Sequence, residues 1–135
     1  MDAFDADVLI YAGTAGHPLG RPIRALLPTE PGAMAGIGSV PLLPEVLAKP
    51  MRNGSAEEVA ALAGLLERLE LRGVDQMTAE VATRLASGYR LRAPDAVHLA
   101  TPVVAGADRF ITNNRRDLPV SITEVEIIYP DSLEE

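Results

Sequence analysis

Residues 91–118 read LRAPDAVHLATPVVAGADRFITNNRRDL, and the stretch divides into a helix, a short strand and a polar turn. Pro94 and Asp95 suit a helix start: proline fits the first helical position, and a carboxylate favours the positive end of the helix dipole. Ala96, Val97, Leu99, Ala100 and Val103 supply an apolar face, and Gly106 punctuates its end. Residues 109–112 predict a buried strand, and residues 113–117, NNRRD, the loop that leaves it. Asp95 therefore opens a helix, while Asn114 and Asp117 follow a strand end. Packing needs none of these groups, which makes them candidate site residues. Pro102 interrupts the pattern: it cannot donate to the His98 carbonyl and its ring crowds that oxygen, at about 3 kcal/mol. The expectation is a kink or an early end to the helix, two turns beyond Asp95.

Upstream, residues 78–90 predict a helix with Thr78 as N-cap and Val81, Leu85 and Tyr89 facing the core. Residues 74–77 are read as a strand. Residues 55–71 carry a capping-box signature, Ser55 with Glu58, and a helical repeat of Val59, Leu62, Leu65, Leu66 and Leu69. Residues 41–49 predict a helix bearing Glu45, ended by residues 50–54. Residues 33–40 are read as a strand, 23–27 as a short helix, and the Gly/Pro-rich 13–22 as a break. At the start, residues 1–5 predict a strand ending in Asp5, and Asp7 is read as the cap of the helix over residues 8–12. Downstream, residues 125–129 give a last strand. Strands separated by helices imply one α/β domain over residues 1–135 with a mostly parallel sheet of about five strands. Ligands of such sheets sit outside the carboxyl ends of the strands.

Asp5, Asn114 and Asp117 stand at such ends, and Glu45 and Asp95 lie early in helices. Carboxylates brought together from distant segments repel one another, and each unpaired buried ion costs several kcal/mol. A hard divalent cation resolves the conflict: Mg²⁺ or Mn²⁺ binds one or two carboxylates, water and substrate phosphate. Such an ion activates water and stabilises a leaving oxygen.

Composition narrows the classes. The 135 residues suit one domain with a real core. There is no cysteine, hence no disulfide, thiolate metal site or cysteine nucleophile. No apolar run reaches the ~18 residues needed to span a bilayer. Acids precede the first apolar run, the wrong sign for a secretory signal, so the expectation is a soluble cytoplasmic protein without membrane contact. A net charge of −7 opposes indiscriminate nucleic-acid binding. Yet Lys49, Arg52, Arg90, Arg92, Arg115 and Arg116, half of the twelve basic residues, flank the acidic segments. A basic rim around an acidic centre suits a phosphodiester, and Arg115 and Arg116 are the candidate substrate contacts. His98 reads as a core or supporting histidine. Few aromatic residues are present, so base stacking is not an obvious device.

These segments also carry a resemblance. FDADVLIYA resembles the opening of PIN domains, where a strand ends in aspartate, here Asp5, followed by Thr or Ser, then Asn. Ala6 and Asp7 depart from that pair. SVPLLPEVLAKP is similar to the segment supplying the family's glutamate, here Glu45. LRAPDAVHLATPVVAGADRFIT is similar to the segment with the third acid, here Asp95. TNNRRDL fits T-x-N-x-x-D-[FL], giving Thr112, Asn114 and Asp117. Within the family, the match is to VapC-like toxins. The resemblance implies a three-layer α/β/α sandwich and a Mg²⁺- or Mn²⁺-dependent endoribonuclease. Asp5 and Asp95 would be its metal ligands, with Glu45, Asn114 and Asp117 completing the catalytic site. It further implies an RNA substrate, a VapB-type antitoxin, and a homodimer or toxin–antitoxin hetero-oligomer. The alternatives are a housekeeping PIN nuclease without antitoxin and a non-catalytic α/β binding module. A phosphoacceptor receiver domain needs a late lysine, and Lys49 is the chain's sole lysine.

Overall fold

The computed structural model describes residues 1–133; the last two residues of the expected domain lie outside the described residues. The elements run β1 (Asp2–Phe4), α1 (Ala6–Ala12), α2 (Gly20–Arg24), β2 (Gly36–Ser39), α3 (Leu42–Arg52), α4 (Ala56–Leu66), β3 (Leu69–Arg72), α5 (Gln76–Tyr89), α6 (Ala93–Ala105), β4 (Arg109–Ile111) and β5 (Glu126–Ile128), then a 3₁₀ turn (Pro130–Ser132). The sheet order is β3-β2-β1-β4-β5, and every described pairing is parallel. Among the described residues no helix is long and apolar enough to cross a membrane.

Strand side chains alternate between faces, and this alternation builds two cores. Phe4 and Ile111 join α1–α4 on one face through Val8, Leu9, Ile23, Leu42, Val46 and Leu62. Ala3 and Phe110 join α5 and α6 on the other through Leu85, Leu99 and Ala100. The result is the expected α/β/α sandwich, with a sheet that is parallel throughout its described strands. Gly36 is needed where β2 meets β1, since a Cβ there would lie 2.0 Å from the Asp2 carbonyl oxygen.

Several local expectations fail, for identifiable reasons. The helix expected over residues 55–71 stops at Leu66, and Leu69–Arg72 is β3. Leu69 continues the helical spacing, yet it also begins an alternation, Leu69 inward and Glu70 outward. Pairing with β2 decides between the two patterns, from Gly36 with Leu69 to Ser39 with Arg72. Residues 74–77 are therefore not a strand. Asp75 caps α5, accepting from the Thr78 amide at 2.8 Å and the Thr78 hydroxyl at 2.7 Å. Thr78 is thus the capped residue, not the cap. Ser55 takes the N-cap position of α4 without a side-chain hydrogen bond, so its capping box does not form. Pro102 does not end α6, which runs on to Ala105 and closes at Gly106 in the left-handed region, φ 72°. Packing of α6 along α5 and β2 outweighs the local penalty. Pro50 is likewise inside α3, which runs beyond the boundary expected at residue 49.

Candidate active site

From β1 the chain moves outward through β2 and β3, then returns to place β4 and β5 on the other side of β1. The direction of winding reverses between β1 and β4, and the crevice beyond their carboxyl ends is where such a sheet receives ligands. Asp5 leaves β1 there and Thr112 leaves β4. The Asp5 amide donates to the Ile111 carbonyl at 2.9 Å. Its carboxylate accepts from the Ala6 amide and from the Thr112 hydroxyl, both at 2.8 Å. Asp5 is thereby the N-cap of α1, the role expected of Asp7. Burial raises its pKa, opposed chiefly by the Thr112 hydroxyl and then by His98.

Asp7 instead bridges two elements. One oxygen accepts from the Val8 amide at 2.7 Å and the other from the Asn113 amide at 3.0 Å. Burial, followed by the adjacent Asp5 charge, pushes its pKa up to about 7. Asn113 also donates from Nδ2 to the Tyr11 hydroxyl at 3.3 Å. The acid–x–acid spacing at a helix start was the available sign that Asp7 belongs to the cleft.

Thr112 was visible only as a motif letter, yet it joins three segments. While its hydroxyl donates to Asp5, its oxygen accepts from the Asn114 amide at 3.1 Å. Asn114 and Asp117 form a reciprocal pair. Asn114 Nδ2 donates to Asp117 Oδ2, and the Asp117 amide donates to Asn114 Oδ1, each at 3.3 Å. A hydrogen-bonded path thus runs from Asp117 through Asn114 and Thr112 to Asp5.

Asp95 lies in the first turn of α6. Its Oδ2 is buried and has no hydrogen-bond partner; Arg92 Nε stands 3.7 Å away. Burial raises the Asp95 pKa, Arg92 opposes the rise, and the Asp117 and Glu45 charges add to it. Glu45 approaches from α3 and is met by His98 Nε2, while His98 Nδ1 lies 2.6 Å from Ser39 Oγ. His98 is buried, so the expected supporting role has a concrete form: it ties the end of β2 and Glu45 to α6. Arg115 pairs with Asp131 at 2.5 Å and lies 4.4 Å above the Tyr129 ring. Arg116 is exposed on the same loop.

Electrostatic coupling links Asp5, Asp7 and Asp95, and links Asp95 with Glu45 and Asp117. Among the described residues no three His, Cys, Asp or Glu side chains are arranged to enclose a metal ion. Mg²⁺ and Mn²⁺ do not require such a cage, since one or two carboxylates plus water and phosphate suffice. An all-oxygen donor set with one buried, unpartnered carboxylate oxygen, Asp95 Oδ2, fits a hard cation.

No curated protein matches the chain in sequence. Among solved structures, a chain of a toxin–antitoxin complex from Klebsiella pneumoniae is similar in fold. Its TM-score is 0.74 at 22% identity, over 96% of this chain and 98% of that one. A chain of VapBC2 from Rickettsia felis, bound to a DNA fragment from its promoter, gives 0.70 at 14% identity, over 95% and 97%. The PIN domain family itself matches residues 3–120. That span reaches from β1 through the loop carrying Asn114 and Asp117, and on this agreement of sequence with fold the chain belongs to the PIN domain family.

Proposed function

We propose that the protein is a metal-dependent endoribonuclease and the toxin of a type II toxin–antitoxin pair. The observation that carries the reading is the crevice itself, where Asp5 is locked in place and Asp95 keeps a buried oxygen without a partner. Asp5 and Asp95 would hold Mg²⁺ or Mn²⁺. When bound, the ion supplies an activated water and charge stabilisation at the leaving oxygen. Thr112 and the Ala6 amide fix the Asp5 carboxylate in one orientation, so little reorganisation is needed as charge develops. His98 holds Glu45 toward the cleft, and Asn114 orients Asp117 at the rim. No side chain of the protein acts as nucleophile.

Similarity to chains from toxin–antitoxin complexes supports an antitoxin partner and, with it, a hetero-oligomer. RNA as substrate is supported by the exposed Arg92, 3.7 Å from Asp95 and 3.8 Å from Asp117, and by the exposed Arg116 next to Asp117 in sequence. The test is cleavage of single-stranded RNA by the purified chain with Mn²⁺ and with chelator. A metal-dependent rise in melting temperature should accompany activity, because a ligand of the folded state stabilises it. Asp5→Asn and Asp95→Asn should each remove that shift and lower cleavage by more than about a hundredfold, above what loss of a supporting residue costs. Metal-dependent cleavage retained by Asp5→Asn would overturn the assignment. A chain that stays monomeric in light scattering and ignores its neighbouring gene product would favour a PIN nuclease without antitoxin.

A further inference from the structure

The unpartnered oxygen of Asp95 is not electrically alone. Arg92, at the N-cap of α6, makes no capping bond with its side chain. Its Nε lies 3.7 Å from Asp95 Oδ2, and its Nη2 lies 3.8 Å from Asp117 Oδ2. Both separations exceed hydrogen-bond distance, and a guanidinium engaged with a carboxylate normally sits at about 2.7–2.9 Å. The side chain is also 79% exposed. One cation thus straddles two acids from different segments without bonding to either, and exposed pairs of this kind hold weakly.

A divalent ion bound to Asp95 Oδ2 would fill the field that draws the guanidinium inward, and like charge would repel it. The freed arginine would stay tethered at the cleft mouth, where its planar fork matches two oxygens of a phosphodiester. We infer that Arg92 is a displaceable counter-ion of Asp95 and Asp117. It neutralises the pair in the metal-free protein, yields to the divalent cation, and then contacts a phosphate of the RNA. The inference rests on the metal-dependent ribonuclease reading and adds an exchange between two cations to it.

Calorimetric titration of the full chain with Mn²⁺ alone tests the first half. Arg92→Ala should bind Mn²⁺ roughly two- to fivefold more tightly, the range expected for releasing an exposed ion pair. Arg92→Lys, which keeps the charge, should stay near the parent, and Asp95→Asn should lose binding. Steady-state kinetics at saturating Mn²⁺ test the second half. Arg92→Ala should raise KM for single-stranded RNA more than it lowers kcat. The salt dependence of log KM should lose about one phosphate contact's worth of slope. Unchanged or weaker Mn²⁺ affinity in Arg92→Ala overturns the counter-ion role and leaves the metal site standing. Unchanged KM and salt slope overturn the phosphate contact. A parent chain that binds no Mn²⁺ overturns the underlying ribonuclease reading as well.

Discussion

Asp5 and Asp95 face one crevice from opposite kinds of support. At the β1–β4 end of the sheet, Asp5 has a hydrogen bond to each oxygen, from Ala6 and from Thr112. At the start of α6, Asp95 has a buried oxygen with no hydrogen bond, and the exposed Arg92 stands 3.7 Å from it. Burial raises the pKa of both, but hydrogen bonds to Asp5 recover part of that penalty whereas Asp95 relies on the charges of the exposed Arg92 and, after it, His98. The sheet end is a finished, pre-organised half. The helix start is an unfinished half, whose partner on the proposed function would be a cation. On the proposed function, such a site would hold one carboxylate rigid and leave the other to respond to the cation.

The sharpest way to break this contrast is to unfinish the finished half. Thr112→Val keeps the volume and removes the hydroxyl that donates to Asp5 and accepts from Asn114. Thr112 is fully buried, so the orphaned groups should destabilise the fold by about 1–3 kcal/mol. Loss of orientation at a supporting position should lower cleavage by roughly 10–100-fold. Thr112→Ser should restore most of both. Chemical denaturation and RNA cleavage rates of the two variants check this. Equal behaviour of valine and serine would mean that Asp5 is positioned by the backbone alone.

Asp7 gives a smaller effect, read through pH. Folded, it keeps its proton to about pH 7; the ordinary value is 3.8. Between those values the folded state holds the extra proton, so this contribution is full below the lower value and is lost as pH rises through the higher one. Asp7→Asn removes the titration and keeps one acceptor for the Val8 or Asn113 amide. The variant should therefore melt above the parent at pH 8, with the advantage shrinking toward pH 4. A melting-temperature difference that stays constant from pH 4 to pH 8 would show that Asp7 is not held protonated by the fold.

The same contrast explains what the chain revealed as sequence. Asp5, Glu45, Asp95, Asn114 and Asp117 stood out as candidates because each is a polar group at a strand end or helix start, in segments that carry the family resemblance. Four of the five strands were legible because their apolar runs have a single period, while the third was expected at residues 74–77 and lies at Leu69–Arg72. Residues 69–72 were not, since Leu69 serves both a helical and an alternating reading and only pairing with β2 decides. At Pro102 the early end offered beside a kink does not occur, as tertiary packing carries α6 on to Ala105. Thr112, Ser39 and Asp7 stayed hidden as supporting residues. Their roles depend on partners 107, 59 and 106 positions away, and no spacing rule reaches that far.

The smallest effect separates Asn114 from Asp117, which the structure joins as a reciprocal pair. Asp117 is about one-third exposed and shares Arg92 with Asp95, so it belongs to the loosely held half. Ionised, it offers anionic acceptors, whereas Asn114 offers a neutral carbonyl and donors. Asp117→Asn should therefore weaken Mn²⁺ binding and lower cleavage by only a few-fold, since a partly solvated charge is worth about 1 kcal/mol or less. High Mn²⁺ should rescue most of the loss. Asn114→Ala removes no charge but releases Asp117 from the side-chain pair, while the backbone bond to Thr112 remains, so it should leave Mn²⁺ affinity nearly intact and lower turnover. Asn114→Asp places a second carboxylate beside Asp117 and should tighten Mn²⁺ binding while destabilising the metal-free fold by like-charge repulsion. Mn²⁺ calorimetry on the three variants, beside cleavage rates, distinguishes the roles. If Asp117→Asn binds and cleaves like the parent while Asn114→Ala loses both, the loop belongs to the finished half and Asp117 only caps the turn before Pro119.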